Sequence, residues 1–404
     1  YEIFAGTQDN GSHGGPSRTD NAHGIRNSDW FKTLGADGYQ AATEPGNPDI
    51  VYGEYQEGML FRVDLKTGES VLIQPQPAEG EDYERYSWDA PLVVSPHNPA
   101  RLYYASNRVW RSEDRGDSWT RISDDITRNE ERLNLPIMGK KQSWDNPWDV
   151  YAMSNYNTIT SLSESPVQEG LIYAGTDDGI IQVTEDGGKN WRKITMNSFP
   201  GVPDRAFVND IKADLFDANI VYVALDGHKS GNFSPFLFKS TNKGKSWKPL
   251  VSNLPKQTLV WRLAQDYIDN NLLFIGTEFG IYFSQNGGEK WNKMAGTPTI
   301  AFRDLAIQKR ENDLVAASFG RGFFVLDDYS FLRELSEQNI EKEAQVFIPR
   351  EGLWYFQNHP IGGGKKGSQG ASLYSAENPD FGVTLTYYIK EEVKSKKALR
   401  QEKE

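Results

Sequence analysis

Four copies of one turn pattern, Ser/Thr-x-Asp/Asn-x-Gly-x-x-Trp, constrain this chain more than any other feature. They run from Ser112 to Trp119, Thr184 to Trp191, Ser240 to Trp247 and Ser284 to Trp291, with Trp-to-Trp spacings of 72, 56 and 44 residues. Each residue type has a local task. The side chains of Asp114, Asp186, Asn242 and Asn286 accept hydrogen bonds from turn amides, the glycine takes positive φ, and the Ser or Thr ties back to the turn. The four tryptophans are then expected to insert between neighbouring sheets, at equivalent positions.

Each turn belongs to a longer unit. An Asn- or Pro-bearing turn leads to an apolar strand, a short Gly turn and a second strand that enters the pattern. One copy reads Leu171 to Thr176, Asp177-Asp178-Gly179, then Ile180 to Thr184; another reads Leu272 to Thr277, Glu278-Phe279-Gly280, then Ile281 to Ser284. Four short strands per unit, repeated around an axis, is a propeller blade. Counting degenerate copies gives seven units, near 1–35, 38–75, 88–123, 157–196, 207–252, 259–295 and 300–327. The fold class is therefore all-β: a multi-bladed β-propeller with Asp-box turns over residues 1–328. Its first unit lacks the innermost strand and its last the outermost. Residues 329–344 read as a helical linker, and 345–404 as the start of a small β domain with a charged tail. The chain opens inside a strand-like run, Tyr1 to Gly6, without an initiator Met. It reads as a fragment whose targeting segment is lost and whose ring is completed by blades upstream.

Composition narrows the function classes. Twenty Phe, 19 Tyr and 11 Trp supply a large core, and 37 Gly with 20 Pro fit frequent turns. A net charge of −12 without a basic stripe argues against nucleic-acid binding. Zero cysteines exclude disulfides, zinc–thiolate sites and thiol nucleophiles. No apolar run approaches the ~20 residues that cross a bilayer. No phosphate loop and no Gly-x-Ser-x-Gly elbow is present, so nucleotide chemistry and serine hydrolysis are set aside.

The chain resembles the bacterial sortilin-like, BNR/Asp-box propeller proteins, many of which carry glycosyl hydrolase names. The resemblance runs from about Gly6 to Tyr388. Its carriers are Gly6 to Ser12, Gly35-Ala36-Asp37-Gly38, Ser95-Pro96-His97-Asn98-Pro99, Asp226-Gly227-His228-Lys229, Gly276 to Gly280, and Gly320-Arg321-Gly322 with Asp327-Asp328. It implies an exported, multi-blade protein, with an immunoglobulin-like domain at residues 345–388 and a more distant similarity to two-propeller xyloglucanases and to sialidases. Two departures stand out. Asn242 replaces the usual Asp, and Ser318-Phe319-Gly320-Arg321 replaces the family's Thr-His-Gly-Arg.

Because strands alternate in direction, turns between second and third strands lie opposite the Asp-box turns, together with the entries to the innermost strands. By resemblance to sialidases this is the ligand face. It gathers Asp9, Asp177, Asp178 and Glu278 as candidate catalytic carboxylates, set against their ordinary role of capping Gly turns. Arg108, Asp226, His228, Arg262, Arg303 and Arg321 are candidate ligand contacts. Trp144 and Trp148, in a long loop, are candidate stacking platforms for sugar faces. Five His without paired spacing give no metal site, and no cofactor is expected. The expectation is a binding module for a glycan, peptide or protein, secreted or held in the cell envelope, with an envelope assembly as a further candidate partner. The alternative is a glycoside hydrolase working with two funnel carboxylates.

Overall fold

The structure, a computed structural model, describes residues 2–137, 139–143, 145, 155–359, 374–391 and 393–402. The fourth sheet shows the rule by which this sequence folds. Ile159–Glu164, Ile172–Thr176, Ile180–Thr184 and Arg192–Thr195 pair in chain order, every pair antiparallel. Its two middle strands are buried at every position, because sheets pack on both of their faces. That two-sided burial is why they read as continuous apolar runs rather than as alternating ones.

Six more sheets follow the same order. The second is Gly38–Glu44, Asn47–Tyr55, Met59–Asp64 and Ser70–Leu72. The third is Leu92–Val94, Leu102–Ala105, Val109–Ser112 and Thr120–Arg121. The fifth is Phe207–Ala213, Val221–Gly227, Asn232–Ser240 and Lys248–Pro249, and the sixth Val260–Gln265, Leu273–Thr277, Gly280–Ser284 and Asn292–Lys293. The first and seventh have three strands each: Glu2–Thr7, Gly11–Pro16 and Phe31–Leu34, then Phe302–Gln308, Asp313–Ser318 and Phe323–Leu326. The molecule is a seven-bladed β-propeller. Its core is divided among the spaces between sheets. Tyr173, Ile181 and Val183 of the fourth sheet, for example, meet Val208, Val223 and Phe238 of the fifth.

The four repeated turns form one hydrogen-bond pattern. Ser112 Oγ and Asp114 Oδ1 lie 2.7 Å apart, Gly116 N donates to Ser112 Oγ at 2.8 Å, and Ser118 N donates to Asp114 Oδ1 at 2.9 Å. Thr184 with Asp186, Ser240 with Asn242 and Ser284 with Asn286 repeat it. The tryptophans pack less uniformly than expected. Trp119, Trp191 and Trp291 donate their indole N–H to the backbone oxygens of Ile73, Ile122 and Leu250, each beside the outer strand of the preceding sheet. Trp247 instead lies 4.8 Å from the Phe199 ring, and its indole nitrogen has no hydrogen-bond partner among the described residues. Only Trp291 is fully buried; the other three are half-buried, because their outer edges face solvent.

The seventh and first sheets meet differently from the rest. Trp30 stacks on Phe323 with ring centroids 6.3 Å apart, and Arg18 pairs with Asp327 at 3.2 Å. The residues after the propeller brace this seam. Arg350 reaches Asp313 at 3.1 Å, Asn378 accepts from Thr19 N at 2.9 Å, and Ser375–Ala376 pairs with Ile25–Arg26. The linker forms two short helices, Phe331–Glu334 and Glu337–Ile340. Of the strands expected in a following β domain, the structure pairs Ala344–Val346 with Tyr387–Ile389. Residues 348 and 382–386 are not strand, and Lys396–Gln401 is helical. Among the described residues no helix is long and apolar enough to cross a membrane.

Candidate functional site

A β-bulge near the start of the inner strands shapes one mouth of the propeller. Register shifts fall between Ile159 and Ser161, Val208 and Asp210, Val260 and Arg262, and Phe302 and Asp304. A bulge leaves one residue without a ladder partner and re-aims its side chain. In the fourth and fifth sheets that residue ties one blade to the next. Thr160 Oγ1 donates to Val208 O at 2.8 Å, and Asn209 Nδ2 donates to Val260 O at 2.9 Å. In the sixth and seventh sheets the same position holds Trp261 and Arg303.

These two residues organise the site. The Arg303 guanidinium lies 3.4 Å from the centre of the Trp261 ring and 5.2 Å from that of Phe319. No hydrogen bond or ion pair takes up its N–H groups among the described residues. Burial of the guanidinium lowers its pKa, while Glu278 and Asp226 act electrostatically to raise it. Trp261 Nε1 donates to Glu278 Oε2 at 3.0 Å, which fixes the carboxylate beside the cation. His228 meets the edge of Trp261 at 5.7 Å, and its Nδ1 lies 2.5 Å from Asp226 Oδ1. Asp226 is buried, and its Oδ2 has no hydrogen-bond partner among the described residues. Phe279 and Phe319, in the Gly turns of the sixth and seventh sheets, are 45% and 68% exposed. The mouth therefore combines donors on Arg303, an acceptor on Glu278 and two exposed ring faces.

Of the residues picked from sequence, the structure brings Asp226, His228, Glu278 and Arg303 together. Asp177, Asp178, Asp9, Arg108 and Arg262 are engaged by other partners. Asp177 is buried, with Oδ1 accepting from Thr158 N and Oδ2 from Thr158 Oγ1, both at 2.9 Å. Burial, followed by the neighbouring Asp178, pushes its carboxyl up to about 7. Asp178 is fully buried and accepts from Thr176 Oγ1 at 2.5 Å and Arg128 N at 2.8 Å. These two carboxylates hold turns together and do not open to the funnel. Asp9 is exposed, with a left-handed φ of 66°, and its N–H donates to Asp37 at 2.8 Å. Arg108 is taken up by Glu84. Arg262 bridges Asp210 at 3.2 Å and Asp304 at 2.9 Å, which spends its charge on adjacent blades. Arg321 is exposed in the last Gly turn. Trp144 and Trp148 lie outside the described residues. Sequence reasoning passed over Trp261, Phe279 and Phe319. The usable signal for Trp261 was its place immediately before Arg262 at an inner-strand entry, where the bulge recurs.

No family model matches the chain. The chain is similar to a xyloglucanase of Acetivibrio thermocellus, 27% identical over 166 residues, covering 38% of this chain and 19% of that protein. A xyloglucanase of Paenibacillus sp is 26% identical over 143 residues, 32% of this chain and 14% of that one. Each match spans less than a fifth of the relative's own length. Among solved structures, the GH74 xyloglucanase from Xanthomonas campestris superposes with a TM-score of 0.50 at 15% identity, over 78% of this chain and 45% of that one. The extracellular domain described for a one component system of B. thetaiotaomicron gives 0.51 at 14% identity, over 80% and 37%. At these identities the solved structures share the propeller fold.

Proposed function

We propose that this propeller binds a glycan at the mouth formed by its fifth, sixth and seventh sheets. The observation that carries the reading is Arg303, whose guanidinium lies 3.4 Å from the Trp261 ring centre and 5.2 Å from that of Phe319 and meets no hydrogen-bond acceptor among the described residues. A guanidinium presents five donors in fixed geometry. Beside Glu278 it offers vicinal sugar hydroxyls a donor and an acceptor together, while the exposed Phe279 and Phe319 rings match the apolar faces of pyranose rings. The curated relatives are named xyloglucanases, so xyloglucan leads the panel of ligands to test. The same reading places the protein outside the cytoplasm, secreted or in the envelope, in keeping with the extracellular domain that shares its fold.

Turnover is the second reading. Glu278 and Asp226 come from adjacent sheets and are linked through Trp261, which donates to Glu278 and meets the edge of the His228 ring held by Asp226. A pair of carboxylates is the usual machinery of glycoside hydrolysis. One experiment separates the readings. The protein and its Arg303→Ala and Glu278→Gln variants are titrated with plant and host polysaccharides, and released reducing ends are assayed in parallel. Binding is expected without release, weakened tenfold or more by Arg303→Ala at unchanged melting temperature. Release abolished by Glu278→Gln would establish the hydrolase. No binding to any polysaccharide, with a peptide or protein ligand captured instead, would overturn both.

A further inference from the structure

The fifth sheet supplies the mouth with a histidine that a buried carboxylate holds in place. Asp226 stands near the end of the strand Val221–Gly227 and is 1% exposed. Its Oδ1 lies 2.5 Å from His228 Nδ1 and accepts from His228 N at 3.1 Å. His228 opens the single helical turn His228–Ser230, and its side chain is 33% exposed. A carboxylate facing Nδ1 accepts a proton from it, which leaves the imidazole lone pair on Nε2. That nitrogen has no hydrogen-bond partner among the described residues. Asp226 therefore acts on the mouth through His228: it sets the tautomer, and it stabilises the imidazolium formed when Nε2 takes a proton.

Charge and position add a specification. The chain has a net charge of −12, yet Arg303, Lys229 and Arg321 at this mouth have no ion-pair partner among the described residues. Lys229 and Arg321 are exposed, in the second-to-third turns of the fifth and seventh sheets. A guanidinium without a partner takes a carboxylate through two parallel hydrogen bonds. Trp261 holds clamp and base at one place, with the Arg303 guanidinium 3.4 Å from its ring centre and the His228 ring 5.7 Å from it at 76°. In a uronic acid the carboxyl group is bonded to the very carbon whose C–H it acidifies. A clamp for the one and a base for the other must then be neighbours.

We propose that the mouth takes uronic-acid-bearing glycans and cleaves them by β-elimination, with Arg303 holding the uronate carboxylate and His228 carrying the proton. This rests on the reading that the mouth binds a glycan, and adds the sugar class and the reaction. His228 Nε2 removes the proton from the carbon that bears the carboxyl group. The electron pair of that C–H bond becomes a double bond to the adjacent ring carbon, as the bond from that carbon to the glycosidic oxygen breaks. The oxygen leaves with its bonding pair and takes the proton back from Nε2, which restores the neutral base. The step consumes neither water nor an oxidant. Arg303 stabilises the charge that builds on the carboxylate as the proton departs. His228 and Arg303 touch the substrate, and Asp226 is a positioning residue.

The protein is incubated with polygalacturonate, alginate and hyaluronan. Cleavage is followed by the ultraviolet absorbance of the unsaturated uronate, and binding by retardation in gels that contain each polymer. Absorbance is expected to rise with at least one of them. His228→Gln lowers the rate roughly 100-fold or more while retardation and melting temperature hold. Arg303→Ala loses retardation and absorbance together. Asp226→Asn lowers kcat with KM held, a split that loss of structure would not produce. Polymer whose carboxyl groups have been reduced to alcohols is neither retained nor cleaved by the unaltered protein, so this outcome does not depend on any variant folding. Retardation without absorbance on all three polymers overturns the proposal and leaves glycan binding standing. Reducing ends released without absorbance, the mark of hydrolysis, or equal retention of the carboxyl-reduced polymer also overturns it. Failure of every glycan to be retained, xyloglucan included, overturns it together with the reading on which it rests.

Discussion

The sixth and seventh sheets start from nearly the same inner strand, Val-Trp-Arg-Leu-Ala-Gln against Phe-Arg-Asp-Leu-Ala-Ile, with the bulge at the same place. They end in different environments. The sixth lies between two sheets and shares buried side chains with both, Leu250 and Leu263 on one side and Phe274 and Phe302 on the other. Among the described residues the seventh shares such a core with the sixth; towards the first sheet it has the Trp30–Phe323 stack, the Arg18–Asp327 pair and a groove. The difference teaches that burial of a propeller strand is set by its neighbours more than by its own residues. It also puts the most exposed aromatic ring of the mouth, Phe319, on the blade with fewer constraints.

The largest test of that contrast is Trp291→Ala. The ring is 2% exposed and lies in the core between the fifth and sixth sheets, so its removal should cost ~3–5 kcal/mol of unfolding free energy. Phe319→Ala, on the seventh, should stay within about 0.5 kcal/mol of zero in the same denaturant titration. A comparable loss at both sites would break the comparison.

Leu263→Ala and Ile307→Ala probe the paired inner strands more finely. Leu263 is 2% exposed, and its truncation should cost about 2–5 kcal/mol. Ile307 is half-buried on the groove wall, and only part of its side chain is out of water, so roughly 1 kcal/mol is expected. Equal costs would mean that the seam is as tightly packed as the complete sheets.

A further expected effect is in pH dependence, and it sets the fourth sheet against the first. Asp178 and Asp9 occupy corresponding turns, after Gly175-Thr176 and Gly6-Thr7, yet one turn is buried and the other exposed. Asp177, beside Asp178, has its carboxyl pushed from 3.8 up to about 7 by burial. Below the unfolded value the group is neutral in both states and costs nothing. Between that value and about 7 the unfolded chain releases the proton while the folded one keeps it, so stability falls as pH rises; above about 7 the penalty is constant. Asp177→Asn removes this dependence, so the parent should lose stability relative to the variant across that window. Parallel profiles from denaturation at several pH values would contradict the burial of this turn.

Much of the fold was legible because its signals are local. The Ser–Asp–Gly–Trp spacing carries its own hydrogen bonds, and apolar runs between Gly turns mark strands buried on both faces. The site was legible only in part. Asp226, His228, Glu278 and Arg303 were found because turns between second and third strands and inner-strand entries share a face, a consequence of strand alternation alone. Asp177, Asp178 and Arg108 were drawn in by the same rule. Their partners, Thr158, Arg128 and Glu84, are remote in sequence and close only in the folded chain.

By itself, then, the sequence determined the four turns, the strand units between them and the face on which their Gly turns gather, since each depends on residues within a few positions of one another. The tertiary structure decided which carboxylates are hidden and which open, that Arg303 stacks on Trp261, and that Arg18 meets Asp327 where the first and seventh sheets face each other. The Arg303–Trp261 stack and the Arg18–Asp327 pair are contacts between blades, made by side chains 42 and 309 residues apart. No local spacing encodes such contacts, because closing the ring brings them together.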